Sequence, residues 1–209
     1  MTTEIWTLYV ATVIALTITP GPSQLLMLSN SGAYGFHRSL LTAAGDLSAN
    51  TIQMLVAGLG LAAIIMASST ALNAIKWVGV CYLIWSGVGM IRRAKLNDSN
   101  LSASESEMSL KTLWLQGFLT SAANPKAVVF FAALFPQFIS PNAAFWPQFF
   151  ILSATYIVID GLFLSVYGAS ASWIVARFKR IAKVWIERAG GGLMIVAAIL
   201  LGVKSISER

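Results

Sequence analysis

The sequence predicts an all-α integral membrane protein: six transmembrane helices arranged as two inverted three-helix repeats, with the first helix of each repeat broken by proline. Three observations predict this class. Across 209 residues, apolar side chains make up 57% and charged ones 11%, against about 25% charge in a soluble domain. Six stretches approach or exceed the ~20 apolar residues that cross a bilayer core. The basic residues fall in short clusters in alternate gaps between those stretches, as cytoplasmic loops do.

The stretches are Ile5–Leu28, Ser39–Ala67, Ala71–Ile91, Thr112–Pro136, Phe145–Ser172 and Val184–Val203. The first follows Met1-Thr2-Thr3-Glu4, which has no basic residue, and runs into Pro20-Gly21-Pro22. It is too long for a signal-peptide core and is expected to remain as a span. No charge interrupts Ala127 to Ile159, and Pro141-Asn142 marks the turn that divides the fourth span from the fifth. Trp6, Trp77, Trp114, Trp146, Trp173 and Trp185 sit near span ends, where interfacial tryptophan collects, and Trp85 lies within a span.

Loops one, three and five hold Arg38; Arg92, Arg93, Lys95 and Lys111; and Arg177, Lys179, Arg180 and Lys183. The other side holds little beyond Lys76, Lys204 and Arg209. The odd loops are therefore expected in the cytoplasm and both termini outside. The net charge of +6 forms no continuous basic face, so no nucleic acid is expected as a partner. One cysteine, Cys81, excludes an intrachain disulfide, a redox pair and a cysteine zinc site. With one histidine, His37, no metal site and no cofactor are expected.

The polar segment 97–110 divides the chain into repeat one, 1–96, and repeat two, 111–209. Each begins with a helix interrupted at proline: Pro20-Gly21-Pro22 in one, Asn124-Pro125-Lys126 in the other. Each second span carries an aspartate beside a glycine, Gly45-Asp46 and Asp160-Gly161. In the third spans, Ile75-Lys76-Trp77-Val78-Gly79 aligns with Ile186-Glu187-Arg188-Ala189-Gly190. An odd number of spans per repeat requires opposite orientations, and inverted repeats with broken helices place a transport site at the midplane.

Asp46 lies eight residues past Arg38, about 12 Å along a helix. A charge at that depth costs about 2.5–3.5 kcal/mol and must face the bundle or a wet cavity. Thr42, Asp46, Asn50 and Gln53 share one helix face, which reads as a pathway wall or an interhelical polar seam. Ser153, Tyr156, Asp160 and Tyr167 share another. Lys126 has three uses open to it: snorkelling, meeting a solute carboxylate, or the favoured one of pairing with Asp46 or Asp160. Proline removes the donor for the carbonyl four residues back. Pro20 thus frees Leu16, Pro22 frees Ile18 and Pro125 frees Ser121, and each carbonyl needs water, a side chain or a ligand. The half-helix beginning near Ser23 presents N–H groups suited to a carboxylate. The aspartates suit an ammonium, so the pair of features fits a zwitterion. Thr12, Thr19 and Ser23 are expected on one face, and Gln116, Thr120 and Asn124 on another. Cys81 and the glycines Gly87, Gly89 and Gly190-Gly191-Gly192 read as packing rather than chemistry.

Ile18-Thr19-Pro20-Gly21-Pro22, Gly45-Asp46, Gly117-Phe118, Asn124-Pro125-Lys126 and Phe135-Pro136-Gln137-Phe138 resemble the LysE/RhtB family of bacterial amino-acid exporters over almost the whole chain. The resemblance implies proton-driven export of amino acids or close derivatives, such as threonine, homoserine or its lactone, or basic amino acids. It places the protein in the cytoplasmic membrane. It marks Pro20, Gly21, Pro22, Asp46, Asn124, Pro125 and Lys126 as motif positions. Ser23 stands where many members carry a polar or acidic residue, which leaves the charge preference open. The expected partners are a small zwitterionic solute, protons and the lipid bilayer, with homo-oligomerisation left open. The alternative is a cation channel or divalent-metal transporter, for which the two aspartates, Asn50 and Asn124 supply oxygens. An enzyme is not expected, because one cysteine cannot run thiol–disulfide exchange within the chain.

Overall fold

The structure is a computed structural model and describes residues 2–60, 69–98 and 108–203. The expected end of the second span (61–67), most of the linker (99–107), Lys204, Arg209 and the side chains of Lys179 and Arg180 lie outside the described residues. All regular structure among the described residues is helical: α1 Thr3–Ile18, α2 Pro22–Tyr34, α3 Phe36–Gly58, α4 Ser69–Asp98, α5 Leu110–Ala122, α6 Pro125–Val129, a π turn Phe130–Leu134, a 3-10 turn Phe135–Phe138, and α7 Phe145–Val203.

The helix starts follow from local chemistry. The Thr2 and Ser109 hydroxyls accept from the N–H groups of Ile5 and Thr112, and the Asn124 side chain accepts from Lys126 N–H. Pro22 and Pro125 stand in first turns, where their missing N–H costs nothing. The breaks obey the steric rule that a residue before proline avoids helical ψ. Thr19 (ψ 120°) precedes Pro20, Gly21 (ψ −174°) precedes Pro22, and Asn124 (ψ 110°) precedes Pro125. The chain consequently bends by 54° between α1 and α2, and by 52° between α5 and the Pro125–Phe138 segment.

Several expected boundaries move. Helix α4 runs on to Asp98, and Leu110 begins α5, so both ends of the expected linker 97–110 are helical. No irregular loop separates the expected fifth and sixth spans. Helical geometry persists through α7, yet the chain reverses within it, because Gly32 lies against both Val175 and Ile186. Ala176–Lys183 contains neither proline nor glycine, so nothing local interrupts the helical turns.

Phe145–Phe178 is long and apolar enough to cross a membrane, and each bent pair qualifies if it counts as one span. All seven tryptophans, Trp85 included, face outward. Cys81 is also exposed, which removes it from the core packing expected of it. Inside, Tyr9, Phe130, Phe131, Phe135, Phe149 and Tyr156 form one aromatic cluster.

Helices meet most closely at glycine. A Cβ on Gly45 would overlap the Trp114 carbonyl oxygen, and one on Gly117 would overlap that of Thr42, so α3 and α5 cross backbone to backbone. The α4–α7 crossing is reciprocal. A Cβ on Gly87 would lie 2.7 Å from the Gly191 oxygen, and one on Gly191 would lie 2.6 Å from the Gly87 oxygen. Gly89 and Gly192 have open space.

Candidate functional site

The α3 stripe turns inward as its spacing requires. Thr42, Asp46 and Asn50 are buried, and Gln53 is half-buried. On α7, Ser153, Tyr156 and Asp160 are buried as well. The two faces meet at Asn50. Its Nδ2 donates to Asp46 Oδ2 at 2.9 Å and to Asp160 Oδ2 at 3.1 Å. Its Oδ1 accepts from Ser121 Oγ at 2.7 Å. Two carboxyl groups, 2% and 3% exposed, thus share one amide nitrogen. Asp46 Oδ1 is buried with no hydrogen-bond partner.

Both helix breaks border this pair. Asn124 Nδ2 reaches Ser23 Oγ at 3.3 Å, tying one break to the other. The Gln24 side chain accepts from Gly21 N–H at 3.0 Å and closes the α2 start. Ser23, Gln24, Asp46, Asn50, Asn124, Lys126 and Asp160 help line a cavity of ≈10 Å3. That is room for about one water and far below the ~300–1,000 Å3 of a small-molecule pocket. The site is closed in this conformation.

Each carbonyl freed by proline has found a side chain. Lys126 Nζ donates to Leu16 O at 3.0 Å and to Thr19 O at 2.8 Å. Tyr167 OH donates to Ile18 O at 2.9 Å. Gln53 Nε2 donates to Ser121 O at 3.2 Å. The favoured sequence expectation for Lys126 is met only at longer range: no contact ion pair joins it to Asp46 or Asp160, although its charge interacts with both. Its ammonium instead sits at the negative end of the α1 dipole, where a cation is stabilised.

Removing that amine while keeping its stem, as in Lys126→Met, leaves two carbonyls without their donor. Stability is expected to fall by about 1–3 kcal/mol, read as a lower melting temperature in detergent. An unchanged melting curve would show that water replaces the lysine.

Two expected faces fare differently. Thr12 and Thr19 turn back onto their own helix, to Leu8 O and Ala15 O, because the break uncouples them from Ser23. Gln116, Thr120 and Asn124 do point to partners. Tyr82 OH engages Gln116 O and Thr120 Oγ1, each at 3.0 Å. The sequence reading missed the side chains of Gln24, Asn30 and Ser121. Gln24 and Ser121 stand beside the proline breaks, which was the available signal.

The family model described as LysE type translocator matches residues 14–205. A homoserine/homoserine lactone efflux protein of Salmonella typhimurium is 32% identical over 206 residues, covering 98% of this chain and 99% of the relative. Its Salmonella typhi counterpart shows the same identity and coverage. An uncharacterized membrane protein of Vibrio cholerae serotype O1 is 34% identical over 173 residues, 82% of this chain and 83% of the relative. No solved structure matches. With its bent helices, inward aspartates and near full-length match, the chain belongs to the LysE type translocator family.

Proposed function

We propose that this protein is a secondary active exporter of amino acids or close derivatives across the bacterial cytoplasmic membrane, driven by protons through alternating access. The observation that carries the reading is the Asp46–Asn50–Asp160 arrangement between two helix breaks. Two acids that share one donor offer a place for a proton and for a solute ammonium. The N–H groups at the start of α2 suit the solute carboxylate. A divalent cation is served less well, because the Asn50 amide points a donor into the oxygen pair.

Six spans in two inverted repeats, 1–96 and 111–209, fit the matched bends of 54° and 52° and the reciprocal Gly87–Gly191 crossing. The site would open to each side in turn as one repeat rocks against the other. Thr42, Gln53 and Asn124 would line the route, Lys126 would hold the α1 end, and Pro20, Gly21, Pro22 and Pro125 would set the hinges. The basic end of the bundle would face the cytoplasm, with both termini outside.

The efflux relatives make homoserine and its lactone the first solutes to try. Cells that express the protein are expected to release more of one or more amino-acid-like solutes than cells without it. Vesicles should show counterflow of the same solute. Indistinguishable media and no counterflow would overturn the reading.

A further inference from the structure

Helices α4 and α5 touch along one stretch and flank a cavity along the next. A Cβ on Gly79 would lie 3.2 Å from the Ala123 carbonyl oxygen, and Tyr82 OH engages Gln116 O and Thr120 Oγ1, each at 3.0 Å. Beyond Tyr82, toward the basic end of the bundle, the two helices border a cavity of ≈460 Å3. Its volume is that of a small-molecule pocket. Gly89 lines it, and nothing lies within 4 Å of a Cβ added there.

The lining is amphiphilic. Trp85, Val88, Gly89 and Met108 supply apolar wall, and Arg92 and Arg93 supply charge at one end. Trp85 is 66% exposed, so the cavity reaches the outer surface of the bundle, where acyl chains lie. Arg93 is tied inward: its Nη2 donates to Ser29 Oγ at 3.2 Å, and its Nε stands 3.5 Å from Glu187 Oε1. Arg92 is exposed and has no hydrogen bond or ion pair among the described residues. No carboxylate is among the described residues of the lining, so an ammonium would find no counter-charge there and an anion would. Helix α5 begins at the same end, at Leu110, and its positive dipole end favours the same sign of ligand.

We propose that this cavity seats one anionic phospholipid, with its phosphate on Arg92 and an acyl chain along Trp85, Val88 and Gly89. The arginine fork matches phosphate oxygens, and basic pockets between spans take anionic headgroups. A soluble anion would meet the arginine but leave the apolar wall uncovered; a lipid satisfies both. Helix α4 belongs to the first proposed repeat and α5 to the second, so the lipid sits at the joint between them. The assignment goes beyond the export reading and holds whatever solute moves.

Purified protein in a neutral detergent is titrated with phosphatidylglycerol and, separately, with phosphatidylcholine, and the protein carrying one lipid is counted by native mass spectrometry. Melting curves establish that each variant counted is folded. Phosphatidylglycerol is expected to bind about tenfold more tightly than phosphatidylcholine, and Arg92→Gln to weaken it by about ten- to a hundredfold, the worth of a charged hydrogen bond. Lys95→Gln removes an exposed charge from the same end of α4 but outside the lining, and should leave phosphatidylglycerol binding unchanged. Gly89→Phe keeps every charge and fills the cavity, so it should weaken phosphatidylglycerol as Arg92→Gln does. Equal weakening by Arg92→Gln and Lys95→Gln would show diffuse attraction to a basic surface. Full binding by a folded Gly89→Phe protein would put the lipid elsewhere, and displacement of phosphatidylglycerol by millimolar inorganic phosphate would show a soluble-anion site. Each of these results overturns the assignment, and none of them bears on export.

Discussion

Asp46→Asn is expected to reduce gradient-driven efflux to the level of vesicles without the protein, while the variant folds normally. Asparagine fills nearly the same volume and keeps an acceptor for the Asn50 amide, which now lies 2.9 Å from Asp46 Oδ2. It also removes a carboxylate whose charge at a span centre costs about 2.5–3.5 kcal/mol, so the melting temperature should hold or rise. What the variant loses is the group that, in the proposed mechanism, binds and releases a proton. Vesicles with an imposed pH gradient, paired with a melting curve in detergent, separate the two effects. Wild-type efflux from a folded Asp46→Asn protein would remove Asp46 from the mechanism and leave Asp160 as the acid at that junction.

The breaks and their consequences were legible in the sequence because proline acts locally. The pre-proline rule places extended residues at Thr19, Gly21 and Asn124, and the missing donors single out Leu16, Ile18 and Ser121 as carbonyls in need. Which side chain answers each need was not legible. Lys126 reaches Leu16 and Thr19 from more than a hundred positions away in the chain, and only the tertiary packing decides that its hydrogen bonds go to those carbonyls. Helical spacing succeeded along α3, where the helix is unbroken from Phe36 to Gly58. It failed for Thr12, Thr19 and Ser23, because a common face requires a continuous helix.

The contact between Arg93 Nε and Glu187 Oε1, at 3.5 Å, shows a different limit. Arg93 reads as one more basic loop residue and Glu187 as part of the match between the third spans of the two repeats. Their meeting depends on α7 doubling back between Val175 and Ile186, and nothing in Ala176–Lys183 announces a turn. The motif glycines were easier to notice than to explain. Gly45 stands beside Asp46 and Gly117 beside Phe118, and the reason for both is contact between helices distant in sequence.

Gly117→Val is expected to be among the most damaging substitutions in the chain. A Cβ there would overlap the Thr42 carbonyl oxygen, and the same crossing brings Gly45 against Trp114. Both obstacles are backbone, so no side-chain rotation relieves them, and α3 and α5 must part. Overpacking a core costs about 1–3 kcal/mol; separating two helices should reach or exceed the upper figure. The damage would also reach the site, because this crossing brings Ser121 of α5 to Asn50 of α3 at 2.7 Å. Gly117→Val should therefore yield little monodisperse protein and no gradient-driven efflux, with Gly117→Ala affected in the same direction and less severely. Gly192→Ala is the control: nothing lies within 4 Å of its added Cβ, and its stability should stay within about 0.5 kcal/mol of wild type. Comparison of yield and melting temperature across the three variants decides the matter. A Gly117→Val protein as stable as the Gly192→Ala control would show that α3 and α5 do not cross backbone to backbone, and the aspartate pair would lose the scaffold that holds it together.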